Sequence, residues 1–195
     1  MKKLLMFLCF IATSLIITNA SFATPIQWKS TDGGNGHWYE VIFQTTNWLN
    51  AKQLAEQRLY DSIQGHLATI TSQEEQTWLW ENLPYNKVWL GGYQADNNPE
   101  PDKGWAWVTG EKWDYAFWRP GEPNDNLGHE DYLIIDQLII PGQWNDVRLD
   151  GWNKMTGYVV EHDSASAPVP EPATMLLLGS GLAGLFGFRK KFRKK

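Results

Sequence analysis

The segment 118–132, WRPGEPNDNLGHEDY, crowds oxygen-bearing side chains around a proline in numbers that a plain surface turn does not need. Glu122, Asn124, Asp125, Asn126, Glu130 and Asp131 fall within it, and the run QWNDV a few residues later adds Asn145 and Asp146. All are hard oxygen donors, with no cysteine among them. Calcium takes six to eight such oxygens at about 2.3–2.6 Å and tolerates irregular loops, whereas zinc favours His or Cys and magnesium a tighter octahedron. The residue types therefore point to calcium. Taken singly, EPN also reads as a proline turn, and WND as a buried tryptophan beside an Asn/Asp turn. His129 adjoins the carboxylates, but a lone histidine more often sits exposed or hydrogen-bonded than on a metal, so it is left outside the set.

Elements upstream must hold these loops in place. HWYEVIFQ reads as an opening strand, and TTNWLNAKQLAEQRLY as a helix after a Thr/Asn cap, with Trp48, Ala51, Leu54 or Ala55, and Leu59 on one face. GHLATI is strand-like. TSQEEQTWLWENL places Ser72 three residues before Glu75, the spacing of a capping box, and offers Trp78, Leu79 and Leu83 as a buried face. After Leu83 come short strand-like runs, KVWLGGYQ, GWAWVTGEKW, DYLIIDQLII, GQWNDV and GYVVEH, separated by turn residues. Strand, two helices and then many short strands predict an α+β fold rather than an alternating α/β one. Loops as long as 94–103 and 119–131 are usually functional in a compact domain.

Twelve tryptophans lie between Trp28 and Trp152, which predicts a rigid aromatic core whose indole N–H groups find partners. Net charge is -5 for the 195 residues, but the basic residues gather at the ends. Between 24 and 163 there are 21 acidic against 9 basic residues, a balance of -12. Such a body repels phosphate backbones, so nucleic acid is a poor partner and a cation a better one, while an acidic surface kept for solubility accounts for the charge equally well.

Residues 1–23 carry two lysines, an apolar run and a small-residue end, the layout of a secretory signal peptide. Cys9, the only cysteine, lies inside that run, so the exported domain is expected to stand without a disulfide. Residues 164–172, SASAPVPEP, form a small, proline-rich linker ending in Pro-Glu-Pro, and 173–195 a hydrophobic segment followed by a basic tail. Its sixteen apolar or small residues make a helix of about 24 Å, short of the roughly 30 Å hydrocarbon core. Val169, Pro170, Glu171, Pro172, the apolar run and the basic cluster together resemble the PEP-CTERM sorting signal of Gram-negative bacteria. That resemblance implies exosortase as a partner during sorting and a transient inner-membrane anchor, with delivery to the cell surface or extracellular matrix.

The unit 24–163 in turn resembles the C-type lectin domain. WLNAKQLAEQRLYDSIQGHLATITSQEEQTWL looks like its two-helix half, VWLGGY its central strand motif, and EPN with WND its sugar-binding calcium site. The resemblance implies a non-catalytic, calcium-dependent carbohydrate-binding module. It implies Glu122, Asn124, Glu130, Asn145 and Asp146 as the Ca2+ ligands, with Glu122, Asn124, Glu130 and Asn145 also reaching the sugar. A cis Glu122–Pro123 bond belongs to the same pattern, and EPN to binders of mannose, glucose, N-acetylglucosamine or fucose. Trp118, Trp144 or His129 are candidates to stack beside the sugar ring, Trp144 being better suited to the core.

Two departures stand out. The disulfide positions of the family correspond here to Ala55 with Val160 and to Tyr132 with Leu149, so apolar contacts must replace the bridges. An auxiliary calcium site is not expected, because Gln94 and Asn98 stand where acidic ligands belong, although Asp125 and Asp131 remain. A competing reading is a protein-interaction or matrix-scaffold domain of the same fold in which calcium only stiffens the loops. A glycoside hydrolase using Glu122 and Glu130 is disfavoured, since carboxylates on a divalent cation do not keep the proton that an acid catalyst needs.

Overall fold

The structure, a computed structural model, describes residues 24–95, 101–136 and 142–164. Residues 1–23, expected to be a signal peptide, Asn98, most of the expected linker and the whole 173–195 segment lie outside the described residues. Among those described, no helix is long and apolar enough to cross a membrane.

The described residues form two α-helices and nine strands in the α+β arrangement expected. β1 (Ile26–Gln27) and β2 (Trp38–Ile42) lead into α1 (Trp48–Glu56), β3 (Leu59–Tyr60) and β4 (Ile63–Leu67); α2 (Gln73–Asn82) follows. Then come β5 (Lys87–Gln94), β6 (Trp105–Trp107), β7 (Tyr132–Asp136), β8 (Gln143–Val147) and β9 (Gly157–His162). The sheet runs β1-β2-β9-β5-β7-β8, with β4 also on β9 and β6 on β5. The last strand is therefore its centre. One edge of β9 pairs with β2 from Trp38↔His162 to Ile42↔Tyr158, and the other is shared between β5 and β4. All pairings are antiparallel except β5 with β9.

The sequence explains the helix ends. Asn47 caps α1 by accepting from the Asn50 N–H, and Ala51 and Ala55 are small enough to let the helix lie against β4. α1 ends at Glu56. Leu59, expected on its buried face, instead lies in β3 and is 70% exposed, because the chain leaves the helix at Gln57 before a further turn can bring that residue round. Of the alternatives Leu54 and Ala55, Ala55 is buried and Leu54 half-buried. Ser72 caps α2 by accepting from the Glu75 N–H at 3.1 Å. Only that half of a capping box forms: the Glu75 carboxylate accepts from the Thr71 N–H and from the Tyr39 hydroxyl at 2.6 Å. It points into the core because Tyr39 offers a donor there.

Two apolar clusters line opposite faces of the sheet. One is the aromatic core expected from the tryptophan count: Trp107, Trp113, Trp118 and Tyr115 surround Trp144, most of them edge-on to it. The Trp144 ring is fully buried and donates its N–H to Gln76 Oε1 at 2.7 Å. The other cluster holds α1. There Trp48 donates to the Leu90 carbonyl and Trp89 to the Thr46 carbonyl, tying the α1 region to β5. Gly91 and Gly92 of β5 are required by close approach, since a Cβ on Gly91 would come within 2.6 Å of the Leu67 carbonyl oxygen.

Ala55 and Val160, both fully buried, sit in this second cluster beside Gly65, and Tyr132 and Leu149 pack against it. Apolar packing occupies both places where the family places a bridge. Because Trp144 fills the core and also precedes Asn145 and Asp146, Trp144→Phe, which shrinks the ring and leaves Gln76 Oε1 without its donor, is expected to cost about 2–4 kcal/mol. Urea denaturation of the variant against the parent chain measures it.

Candidate functional site

The loop between β6 and β7 is long, and three sets of backbone contacts decide where its carboxylates go. At its start, the Trp144 N–H donates to the Phe117 carbonyl and the Arg119 N–H to the Trp144 carbonyl, at 2.9 and 3.0 Å, so residue 118 runs parallel to β8. At its end, β7 pairs with β8, placing Leu133 opposite Asp146 and Ile134 opposite Asn145. In the middle, the Asn124 and Asp125 N–H groups donate to Asp146 Oδ2 at 2.9 and 2.7 Å. Asp146 is thus the post around which the loop is wound.

Local turns bring the other groups inward. The Glu122 N–H closes a turn on the Arg119 carbonyl at 3.0 Å, Gly121 takes a positive φ of 90°, and the Glu122–Pro123 peptide is cis. Asp125 and Leu127 follow with left-handed backbone, φ 45° and 66°. Asp125 Oδ1 accepts from the Glu130 N–H, and Glu130 Oε2 from the Asn126 N–H. These reciprocal bonds fold 125–130 back on itself.

The result is a cleft of about 200 Å³ lined by Glu122, Asn124, Asn126, Glu130 and Asn145, together with Arg119 and Trp152. Asp146 lies fully buried behind it. Among the described residues, Glu122 Oε2, Asn145 Oδ1 and Asp146 Oδ1 are all buried without a hydrogen-bond donor. Burying an unpaired polar atom costs about 1–3 kcal/mol, and a charged one more, so three together from two separate loops call for a cation. The donor set is all oxygen and fits calcium. Arg119 meets part of this demand, donating to Glu122 Oε1, while Oε2 has no partner among the described residues.

Electrostatics agree. Burial, reinforced by the facing Glu122 carboxylate, pushes the Asp146 carboxyl up to about 7. Burial also raises Glu130, aided by the charges of Glu122 and Asp125 and opposed by the Asn126 N–H and the Trp152 side chain. Several carboxylates are forced together, and protons are held where a metal would otherwise balance the charge.

All five residues singled out from the sequence, Glu122, Asn124, Glu130, Asn145 and Asp146, gather here: the first four line the cleft and the fifth backs it. The stacking candidates do not. Trp144 is core, Trp118 packs into the Trp105, Trp113 and Trp144 cluster, and His129 faces a different depression beside Asp131 and Arg148. The aromatic group at the rim is Trp152, 42% exposed, with the Arg148 guanidinium 4.7 Å above its ring. Its sequence signal was the Asp150-Gly151 turn ahead of it, where Asp150 Oδ1 accepts from the Trp152 N–H. Asn126, one of the oxygen donors of 118–132 but outside the five, also lines the cleft. At the place of the auxiliary site, Gln94 donates its amide to the Lys103 carbonyl at 2.7 Å.

Comparison with known proteins places this geometry. The Lectin C-type domain profile matches residues 44–150, and the PEP-CTERM protein-sorting motif, which implies export, matches 168–194. Halomucin of Haloquadratum walsbyi is 31% identical over 72% of this chain, which spans only 2% of halomucin's length. Lectin BRA-3 of Megabalanus rosa is 29% identical, with 78% of this chain and 86% of that lectin covered. Among solved structures, the cow CD23 C-type carbohydrate-recognition domain, determined in the presence of a GlcNAc2Man3 oligosaccharide, superposes with a TM-score of 0.55 at 26% identity. The superposition covers 67% of this chain and 90% of that one. With a family profile over more than half its length, the same fold and a cleft built from the matching motifs, the chain belongs to the C-type lectin domain family of non-enzymatic carbohydrate-binding modules.

Proposed function

We propose that the protein is a calcium-dependent carbohydrate-binding module of the mannose type, carried by residues 24–163 and exported to the cell surface or extracellular matrix. Glu122, Asn124, Glu130, Asn145 and Asp146 hold one calcium ion, and Glu122, Asn124, Glu130 and Asn145 also contact the sugar. The observation that carries this reading is the trio of donorless buried oxygens on Glu122, Asn145 and Asp146 at one cleft. Bound calcium supplies the charge that these oxygens lack, together with coordination positions that hydroxyl groups can take.

The side chains divide the remaining work. Carboxylates of Glu122 and Glu130 accept hydrogen bonds from hydroxyls, and the amides of Asn124 and Asn145 both donate and accept, so a vicinal diol finds both kinds of partner. Trp152 forms an apolar wall suited to the C–H face of a pyranose. The EPN order of Glu122 and Asn124 supports mannose, glucose, N-acetylglucosamine or fucose as ligand. A single open site of this kind binds weakly, at about millimolar or roughly -4 kcal/mol, so adhesion depends on many copies on one surface or polymer. The sorting motif at 168–194 supports exosortase as a processing partner, with transient membrane contact through 173–195.

Asn145→Ala tests the site cleanly, since Asn145 Oδ1 makes no hydrogen bond among the described residues. The full chain in detergent is expected to bind mannose resin with calcium and to elute with chelator; the variant is expected not to bind, while its stability in chelator stays within about 0.5 kcal/mol of the parent. Retention that survives both chelator and Asn145→Ala rejects the assignment. A calcium-dependent rise in Tm with no binding to any glycan on an array selects the scaffold reading instead.

Acidity supplies a second prediction. The Asp146 carboxyl stands at about 7 in the folded chain against an ordinary 3.8, and Glu75, raised by burial and then by Glu161, at about 7 against 4.5. Between those limits the folded state binds more protons than the unfolded one, so stability in chelator falls as pH rises through the window. The unfolding free energy from urea denaturation in chelator is expected to be higher near about pH 5.5 than near pH 8, by on the order of 2 kcal/mol, and Asp146→Asn to flatten part of that slope. Calcium affinity moves the other way and weakens on acidification, because the proton and the ion compete for Asp146.

A further inference from the structure

At the far end of the sheet from the sugar cleft, three strands bring together a group of side chains that the lectin function does not use. His66 of β4 and Tyr39 of β2 are both register partners of Glu161 on β9. Register partners and residues two apart share a face of a sheet, so His37, Tyr39, Glu161, Asp163 and His66 all project on one side. His37 Nδ1 lies 2.6 Å from Glu161 Oε1 and 3.7 Å from Asp163 Oδ1, and His66 Nε2 lies 3.1 Å from the same Asp163 oxygen. Ligand atoms of His37, Glu161 and Asp163 all fall within 4.8 Å of one another.

The hydrogen bonding of His66 gives the independent pointer. Its Nδ1 is 2.9 Å from the Leu67 carbonyl oxygen, which can only accept, so the ring hydrogen resides on Nδ1. Its Nε2 faces the Asp163 carboxylate oxygen at 3.1 Å, a contact that needs a positive centre, a proton or a metal ion, beside it. A histidine fixed by a backbone carbonyl through one ring nitrogen and held on a ligand carboxylate through the other is an outer-shell arrangement of a metal site. Glu161 is held likewise: Oε2 accepts from the Thr69 N–H at 2.9 Å, leaving Oε1 turned toward His37 and Tyr39.

We infer that His37, Glu161 and Asp163 form a second metal site, flanked by His66 on Asp163 and selective for a divalent transition ion of the zinc class. One imidazole nitrogen and two carboxylates with a fourth position open suit zinc and not calcium, which takes oxygen ligands in larger number. The site joins the beginning of β2 to the residue after β9, closing nearly the whole domain into one loop, where metal clips and disulfides constrain the unfolded chain most. Without a cysteine outside residues 1–23, the domain has no covalent staple, and this ion takes that place next to the linker toward the sorting motif.

The experiment adds zinc to the full chain in detergent with calcium saturating, so that the lectin site is filled, and reads Tm and binding heat. Zinc at about a hundredfold over its Kd is expected to raise Tm by about 5–10 °C with one ion bound. Asp163→Asn, at an exposed position where folding is not at risk, and His37→Asn are each expected to weaken zinc at least about 10- to 100-fold while retention on mannose resin is unchanged. Cobalt in place of zinc should give the visible absorption of a four-coordinate ion. No zinc-dependent rise in Tm, or a rise equal in parent and both variants, overturns the site.

Discussion

The buried carboxylate of Asp146 is the constraint on which the rest depends. One of its oxygens receives two backbone N–H groups from the loop twenty residues earlier, and the other faces Glu122 with no donor. The first oxygen spends part of the negative charge on folding a loop that has no secondary structure of its own. The second leaves a residue of charge at the bottom of the cleft. One side chain therefore both shapes the loop and creates the demand for a cation, so loop order and ion binding are expected to be coupled.

Everything around Asp146 serves to keep it in place. β8 is pinned on one side by β7 and on the other by the strand-like stretch at Phe117–Arg119, and Trp144 anchors it to α2 through Gln76. The two helices thus matter to the site at one remove: α2 fixes the tryptophan, the tryptophan fixes the strand, and the strand fixes Asn145 and Asp146. With apolar packing at Ala55, Val160, Tyr132 and Leu149, the fold keeps this chain of contacts without a disulfide.

Much of this was legible in the sequence because it is local. EPN and WND carry their donor types within a few residues, the Asn47 and Ser72 caps announce the helices, and the tryptophans announce the core. What could not be read there depends on register and on backbone handedness. Trp152 reaches the cleft through a left-handed backbone, φ 54°, that no propensity scale assigns to tryptophan. Glu75 follows a capping spacing yet serves Tyr39 and Thr71, because a buried hydroxyl competes for it. Leu59 continued the helical period but fell past a helix end that carries no glycine or proline to mark it. His37, His66 and Glu161 are more than ninety residues apart at the extremes, and only the pairing of β2 and β4 on either edge of β9 makes them neighbours.

The central claim is that side chains from two separated loops converge on one calcium ion. A crystal structure of the full chain grown in calcium, with anomalous data collected at long wavelength, tests it most directly. The account predicts an anomalous peak in the cleft within about 2.3–2.6 Å of oxygens from Glu122, Asn124, Glu130, Asn145 and Asp146. A peak elsewhere with these oxygens turned away from one another, or an ordered cleft without one in abundant calcium, would contradict it.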